Sequence, residues 1–481
     1  MPSHDTLRGF LKALAAILAS ACLIYVSTGT HGIGALAWLA PLPVLILALD
    51  SSGWQSFGAA FAASFLGNMN LVPYLARVLP TIVIAGSLML FALSFALAVA
   101  VARFAFRRLP PWIAVFAFPL AVTSFEFLQS LLSPHGTAGS LAYSQMDILP
   151  VIQVLSVTGI WGVVFLLTLL PSGLALASRL RGDWRRAACL MALPVLLEFA
   201  SLAYGWARLS QSDSRPSIRL GLAVTDTTVR MFDARERDQA LPVLHEYSRR
   251  VGDLVGRGAQ IVLLPEKFVG VTTEYREEAL EVLSLAARTG KVTLIAGLNL
   301  VGAPAMRNVA VAFGPDGRTI LEYDKARMLP GAEDGYVAGA TPGLLNREES
   351  RLGVAICKDM DFPRWIRRYG QERVSLLLVP AWDFVQDAKL HSRMAVARAV
   401  EGGFALARCA QQGLATVCDS RGRIVAEAAS YEAPEQLLVA DVRPGSGDTF
   451  YSRGGDWFGW VCLILLGAVL SLAFRSSTVS T

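Results

Sequence analysis

Charge is scarce in this sequence. Asp, Glu, Lys and Arg make up 17% of the 481 residues, against about a quarter in an ordinary soluble protein. The shortage is uneven. Residues 1–208 and the last stretch carry long apolar runs, whereas about 215–455 read as a soluble domain. A simple soluble chain is thereby excluded, and an integral membrane protein carrying one large globular domain is indicated. Histidine and cysteine are also few, at 5 and 6. No two cysteines form a C-x-x-C pair and none has a histidine at ligand spacing, which argues against a structural zinc or a disulfide framework. No basic run is interleaved with aromatics, so the net charge of +5 is not a nucleic-acid signature. It comes largely from arginines beside the apolar segments.

What is there begins with those segments. A spanning helix needs about 20 mostly apolar residues. Candidates lie at about 10–28, 33–49, 55–75, 80–102, 111–131, 149–178 and 187–206, and a last one at 457–474, about eight by this length criterion. No small-residue cleavage site follows the first, so it reads as a retained helix and not as a signal peptide. Arg8 and Lys12 precede the first span; Arg103, Arg107 and Arg108 follow the fourth; Arg179, Arg181, Arg185 and Arg186 follow the sixth; Arg475 follows the last. With eight spans all of these fall on one side, which the positive-inside rule makes cytoplasmic. The expected division is a membrane domain with seven helices at 1–208, an extracytoplasmic domain at 209–455, and a final helix with a short cytoplasmic tail at 456–481. Glu126 and Glu198 are candidate intramembrane carboxylates, a costly and often functional class; the sequence assigns them no role.

The soluble part alternates short apolar strands with helical repeats. Strands are expected at 218–224, 261–265, 292–297, 352–356, 374–381, 404–409 and 436–442, and helices at 233–257, 274–289, from 362 and at 389–402. Gly314-Pro315-Asp316-Gly317 and Asp419-Ser420-Arg421-Gly422 each sit between apolar runs and predict hairpins. The pattern indicates an α/β domain with two sheets between helical layers. Three strands end on polar residues of different chemistry: Glu266, Lys325 and Cys357. A lone cysteine at a strand end is commonly an inert buried thiol, and a Glu–Lys pair is commonly a rim ion pair. Together they describe something else. A carboxylate deprotonates a thiol, an ammonium stabilises an oxyanion, and the trio makes a competent acyl-transfer site. Cys409 and Cys418 lie on apolar strands and read as core residues.

Leu264-Pro265-Glu266, Tyr323-Asp324-Lys325, Leu329-Pro330 with Glu333, Gly353-Val354-Ala355-Ile356-Cys357 and Ala381-Trp382 together resemble the nitrilase, or carbon–nitrogen hydrolase, superfamily. So does a helix bearing His391, Met394, Ala395, Arg398 and Glu401. Ala142-Tyr143-Ser144-Gln145 and Ser156 to Gly162, with eight spans and the domain inserted before the last, resemble the superfamily's membrane-embedded bacterial acyltransferases. The resemblance covers essentially the whole chain. It implies a multi-span helical membrane bundle joined to a nitrilase-like α-β-β-α sandwich, with Glu266, Lys325 and Cys357 as catalytic triad and Glu333 as second essential glutamate. It implies that Lys358 and Asp359 neighbour the nucleophile, the Lys358 backbone N–H helping to hold the oxyanion. Trp382, Tyr336 and Tyr143 are implied as substrate-binding. No metal and no cofactor is implied. The implied partners are a phospholipid acyl donor, a diacylglyceryl lipoprotein acceptor and the lipid bilayer, with no nucleic acid. The implied place is the bacterial inner membrane, with the catalytic domain on its periplasmic side.

The sequence departs from that pattern at four places. Lys358-Asp359 stands where these acyltransferases usually have Tyr-Glu, Gly331 to Tyr336 replaces a Phe-Gly-Glu-Tyr segment, Thr225-Asp226-Thr227 replaces a Gln-x-Asn segment, and the aromatic before the Tyr-Ser-Gln motif is missing. Lys358-Asp359-Met360-Asp361-Phe362-Pro363 is closer to soluble nitrilases. This leaves a membrane-bound amidase as the alternative reading, and an inactive binding homologue as a third.

Overall fold

The structure is a computed structural model that describes residues 4–30, 32–180, 182–211, 213, 215–225, 236–302, 305–347, 350–433 and 435–478. It divides into two compact units. One comprises residues 1–133, 137–208 and 456–481; the other comprises 134–136 and 209–455.

The first unit is helical. Among the described residues six helices are long and apolar enough to cross a membrane: Leu7–Ser27, Thr81–Arg108, Pro111–Leu132, Ile160–Leu180, Trp184–Leu209 and Trp457–Ser476. The other two expected spans are shorter or broken. Residues 33–49 form a tight turn at Gly34–Trp38 and a helix at Leu42–Asp50, entered through Pro41. Residues 55–75 form Gly53–Gly67, a 3-10 turn at Asn68–Leu71 and a short helix at Val72–Val78. The break has a local cause. Asn68 donates back to the Ser64 carbonyl at 2.8 Å, and Asn70 donates to the carbonyls of Tyr25 and Thr28, both at 2.9 Å. Short polar side chains compete in this way with the helical ladder. The expected sixth span breaks at Gly159, whose φ of +63° separates Leu155–Thr158 from Ile160–Ala177. Ala48, Ala60, Ala63, Ala96, Ala102 and Ala105 lie fully buried in the bundle core, where small side chains let backbones approach.

The second unit is a sandwich. In chain order its strands are β1 (Ile218–Thr225), β2 (Ile261–Leu263), β3 (Val269–Thr272), β4 (Thr293–Val301), β5 (Arg307–Phe313), β6 (Thr319–Asp324), β7 (Gly343–Arg347), β8 (Ser350–Val354), β9 (Leu376–Trp382), β10 (Ala405–Gln411), β11 (Leu414–Cys418), β12 (Ile424–Ala429) and β13 (Glu435–Val442). One sheet runs β13-β1-β2-β4-β5-β6, with β3 also on β4; the other runs β12-β11-β10-β9-β8-β7. Both hairpins form where the Gly and Asp signals predict them, Gly317 taking the turn at φ +82°.

Alternation along the strands explains the layers. Leu220, Leu222, Ile261, Leu263 and Ile295 point between the sheets, where they join Leu352, Val354, Leu378 and Leu406 in one core. The intervening Ala223, Val262, Leu294 and Ala296 pack outward against Leu244, Val251 and Leu283 of the helices Arg237–Gly256 and Arg276–Gly290. Both faces of this sheet are thus buried, as expected for strands covered by crossover helices. Pro363–Gln371 and Ala388–Gly402 cover the second sheet through Trp365, Ile366, Ala395 and Ala399. The order is helix, sheet, sheet, helix, the α-β-β-α sandwich anticipated from the sequence. Of the departures noted above, Asp226 and Thr227 lie outside the described residues, as do positions 233–235 of the expected first helix.

Candidate active site

Glu266, Lys325 and Cys357 all lie just beyond the C-terminal ends of strands, where α/β sheets commonly carry their functional groups. Beyond β2, Leu264 still donates to the Ile295 carbonyl at 2.8 Å, so the sheet holds the chain to within two residues of Glu266. The Glu266 carbonyl then accepts from the Gln411 side-chain amide at 2.7 Å. Lys325 prolongs β6 by one residue, its N–H donating to the Asn308 carbonyl at 2.9 Å. Beyond β8, Ala355 donates to Leu378 at 3.2 Å, and Cys357 opens a 3-10 turn, Cys357–Asp361, with φ of +41°. Lys267 is also left-handed, at +46°. Such conformations are costly for non-glycine residues and cluster at functional sites.

The side chains form one buried charged cluster. The Lys325 ammonium donates to Glu266 Oε1 and to Glu333 Oε2, both at 2.8 Å. The Asn308 side-chain amide donates to Glu266 Oε1 at 2.6 Å and to Glu333 Oε1 at 2.8 Å. Lys267 donates to Glu333 Oε1 at 2.6 Å, and the Leu329 N–H to Oε2 at 2.8 Å. Glu333 therefore receives four donors, about as many as a carboxylate accepts. Glu266 receives two, both on one oxygen, and its Oε2 has no hydrogen-bond partner among the described residues. Two lysines and two glutamates balance formally, which is what makes burying four charges tolerable.

Electrostatics separates the groups. Burial lowers the Lys325 pKa, but the Glu266 and Glu333 carboxylates outweigh it and hold the ammonium well above its ordinary range. Burial raises the Glu333 pKa, but Lys325 and Lys267 outweigh it and bring the carboxyl down to about 2. Burial, and next the Glu266 carboxylate, push the Cys357 thiol well above its ordinary value, with Lys325 opposing. At neutral pH this is a neutral thiol facing an ammonium that stays charged. Its Sγ donates to the Trp382 carbonyl at 3.3 Å.

Asp359 ties two loops together. Its carboxylate accepts the N–H groups of Ala326 (3.0 Å), Arg327 (2.8 Å) and Ile356 (2.9 Å), and the Tyr323 hydroxyl (2.7 Å). It thereby fixes the loop after Lys325 against the turn that opens with Cys357. Burial raises its pKa to about 6, against those donors. The Lys358 ammonium lies 3.4 Å from Asp361 Oδ2 and 3.2 Å from His135 Nδ1.

Most of the residues singled out in the sequence come together here. Tyr336 joins through its ring, 4.9 Å from the Lys267 ammonium, and its hydroxyl donates to Asn299 at 2.9 Å. Trp382 contributes the carbonyl that meets Cys357. Arg398 and Glu401 pair at 3.1 Å on the helix Ala388–Gly402, with Met394 and Ala395 buried beside them. Tyr143 belongs to the helical unit, where its hydroxyl shares a 2.6 Å hydrogen bond with Thr137. Cys409 and Cys418 are fully buried core residues, their thiols pushed up by burial. Sequence reasoning missed Asn308, Lys267 as a ligand of Glu333, and Gln411. Asn308 left one signal, an amide at the head of an apolar strand. Among the described residues no group of three or more His, Cys, Asp or Glu could hold a metal ion.

Comparison with known proteins bears on the two units separately. The sequence model of the carbon–nitrogen hydrolases matches residues 227–449, and that of the apolipoprotein N-acyltransferase N-terminal domain matches residues 20–173. An apolipoprotein N-acyltransferase of Geobacter metallireducens is 26% identical, over 100% of this chain and 98% of its own. An omega-amidase of Xenopus laevis is 27% identical over 41% of this chain and 82% of its own. A crystallised amidase from Nesterenkonia sp. aligns with TM-score 0.42 and 23% identity, over 48% of this chain and 94% of its own. The sandwich is thus a carbon–nitrogen hydrolase domain, and the six long apolar helices make the chain a multi-pass membrane protein. The N-terminal match and the full-length relative make the whole chain similar to the apolipoprotein N-acyltransferases.

Proposed function

We propose that this protein moves a fatty acyl chain from a membrane phospholipid to the terminal amine of diacylglyceryl-cysteine lipoproteins, through a thioester on Cys357. The observation that carries the mechanism is the asymmetry around Lys325. One carboxylate, Glu266, keeps an oxygen open and acts electrostatically on the neutral Cys357 thiol, while the other is fully ligated.

Glu266 takes the Cys357 proton, and the sulfur attacks the ester carbonyl. The Lys325 ammonium and the Lys358 backbone N–H hold the resulting oxyanion. Collapse breaks the carbon–oxygen bond, and the lysophospholipid alkoxide leaves with the proton from Glu266. The acceptor amine then attacks the thioester and gives its proton to Glu266. The carbon–sulfur bond breaks, and the leaving thiolate takes that proton from Glu266, which restores the thiol. Lys325 is not the base, because its neighbours keep it protonated. Glu333, with no free acceptor site, holds Lys325 in place; it does not orient the incoming amine. Trp382, Tyr336 and Tyr143 are the proposed substrate contacts.

We place the protein in the inner membrane with the sandwich on the periplasmic side. Support comes from Arg8, Arg103, Arg107, Arg179 and Arg475, which cluster at alternate ends of the apolar segments. There both lipid substrates share the enzyme's bilayer and meet at high effective concentration.

Intact-mass analysis of the purified protein with phospholipid tests the reading. A fatty-acyl adduct that maps to Cys357, is lost in Cys357→Ser and Glu266→Gln, and is discharged by a diacylglyceryl peptide is the expected result. No adduct, with ammonia released from simple amides, would instead establish a membrane-bound amidase, the reading to which Lys358-Asp359 points.

A further inference from the structure

Immediately after Cys357 the sandwich carries a ladder of alternating cations and rings. Lys358 lies 5.8 Å from the centre of the Phe362 ring, and Arg327 lies 5.0 Å from the same ring. Arg327 lies 5.5 Å from the Trp365 ring, and Arg368 follows at 4.6 Å. These separations lie within the range of cation–π attraction. The outer cations are engaged elsewhere, Lys358 with Asp361 and Arg368 with the Ala340 carbonyl. Arg327 differs. It is exposed, and its guanidinium has no acidic partner and no side-chain hydrogen bond among the described residues. Nearby arginines are satisfied: Arg307 pairs with Asp324 and Glu322, and Arg276 with Glu322.

Arg327 is nevertheless well placed. Its backbone N–H is held by Asp359 at 2.8 Å, two residues after Cys357, and it lies two residues after Lys325. Two aromatic faces restrict the guanidinium while leaving its N–H groups unused. A planar fork held in this way suits an anion with two equivalent oxygens. In a glycerophospholipid that group is the phosphodiester, carried on the same glycerol as the ester under attack. Resting on the acyl-transfer reading above, we infer that Arg327 binds the phosphodiester of the acyl donor and thereby selects phospholipids over uncharged acylglycerols.

The test measures acylation of Cys357 in nonionic detergent micelles with phosphatidylethanolamine and, separately, with diacylglycerol carrying the same acyl chains. Wild type should prefer the phospholipid. Arg327→Ala should lower the ratio of the two rates by about 10- to 100-fold, the range for a hydrogen-bonded charged contact. Arg327→Lys, which keeps the charge but loses the fork, should recover part of it. An unchanged ratio overturns the inference, as does an equal loss with both donors, which would mark Arg327 as merely structural. A shift seen in phospholipid vesicles but absent in micelles also overturns it, by assigning the arginine to bilayer phosphodiesters. If wild type forms no adduct with either donor, the acyl-transfer reading falls and this inference falls with it. An adduct from both donors with an unmoved ratio removes only the inference.

Discussion

The loops after β2 and β6 each deliver a glutamate to the same lysine, yet they leave the two carboxylates in opposite states. Glu266 takes Lys325 and Asn308 on one oxygen and keeps the other open. Glu333 takes Lys267 and Asn308 on one oxygen, and Lys325 and the Leu329 N–H on the other. The difference comes from the backbone around each. The β6 loop turns back, so that Leu329 caps its own glutamate four residues on. The β2 loop turns through Lys267, which sends that ammonium to Glu333 and not to its neighbour. Within one buried cluster the number of donors, not the residue type, decides which carboxylate keeps an oxygen open.

Neutralising each glutamate in turn should break this symmetry most visibly. Glu266→Gln should lower the rate of Cys357 acylation by about 10²- to 10⁴-fold, the usual contribution of a positioned base, with a smaller drop in thermal midpoint than at Glu333, because only one lysine loses a partner. Glu333→Gln removes one partner of a buried ion pair shared by two lysines. It should cost about 3–5 kcal/mol of stability, read as a lower melting temperature in detergent, and lose activity through misplacement of Lys325. If both variants lose rate and stability alike, the division of roles is wrong.

Lys267→Met sharpens the same contrast through pH. Glu333 has a folded pKa depressed from 4.5 to about 2. Its contribution to stability is therefore present above about 4.5 and is lost as pH falls through about 2; by linkage it is on the order of 3 kcal/mol. Removing Lys267 takes away one of the two ammonium groups responsible, so the folded pKa rises, the contribution at neutral pH shrinks, and its loss in acid is complete at higher pH. The wild-type advantage in thermal midpoint should be largest at pH 6 and narrow as pH falls toward 3. Parallel curves would mean that Lys325 alone sets the Glu333 charge. Lys267→Arg should restore most of the wild-type curve.

Much of this was legible beforehand, and what was not has physical reasons. Glu266, Lys325 and Cys357 could be read because each ends an apolar run, and a strand end is a local signal. The sandwich could be read because β-branched runs, helical repeats and two Gly-Asp turns are local as well. Asn308 could not, since what matters is that its amide reaches carboxylates 42 and 25 residues away. Lys267 stood in plain view beside Glu266, but its direction depends on a left-handed φ that sequence does not print. In the helical unit, 55–75 looked like a spanning helix because apolarity was the criterion. Asn68 and Asn70 broke it by bonding backbone carbonyls, one of them within the same helix and the others on a neighbouring one.

Asn308→Ala should have an intermediate effect. It removes the donor common to both glutamates, yet leaves each with a lysine. Each carboxylate oxygen that loses the amide is still charged and still paired, so a stability loss of about 1–3 kcal/mol is expected. Because Glu266 loses one of only two donors and Glu333 one of four, the rate of acylation should fall more than stability alone would explain. A rate unchanged at a temperature where the variant is fully folded would mean that Asn308 serves Glu333 only.

The smallest effect is expected at Tyr336, which separates the ring from the hydroxyl. Its ring lies 4.9 Å from the Lys267 ammonium, and its hydroxyl donates to Asn299. Tyr336→Phe keeps the ring and removes the hydrogen bond, so it should cost about 1 kcal/mol and leave the pH dependence of stability unmoved. Tyr336→Leu also removes the aromatic face. The ammonium then loses an attraction worth about 0.5–2 kcal/mol, and Lys267 becomes freer to leave Glu333. The acid-side curve of Tyr336→Leu should therefore shift in the direction of Lys267→Met, by less. If the phenylalanine variant shifts it as well, the hydroxyl and not the ring positions Lys267, and the β6 loop holds its glutamate through Asn299 and β4 instead of through an aromatic contact.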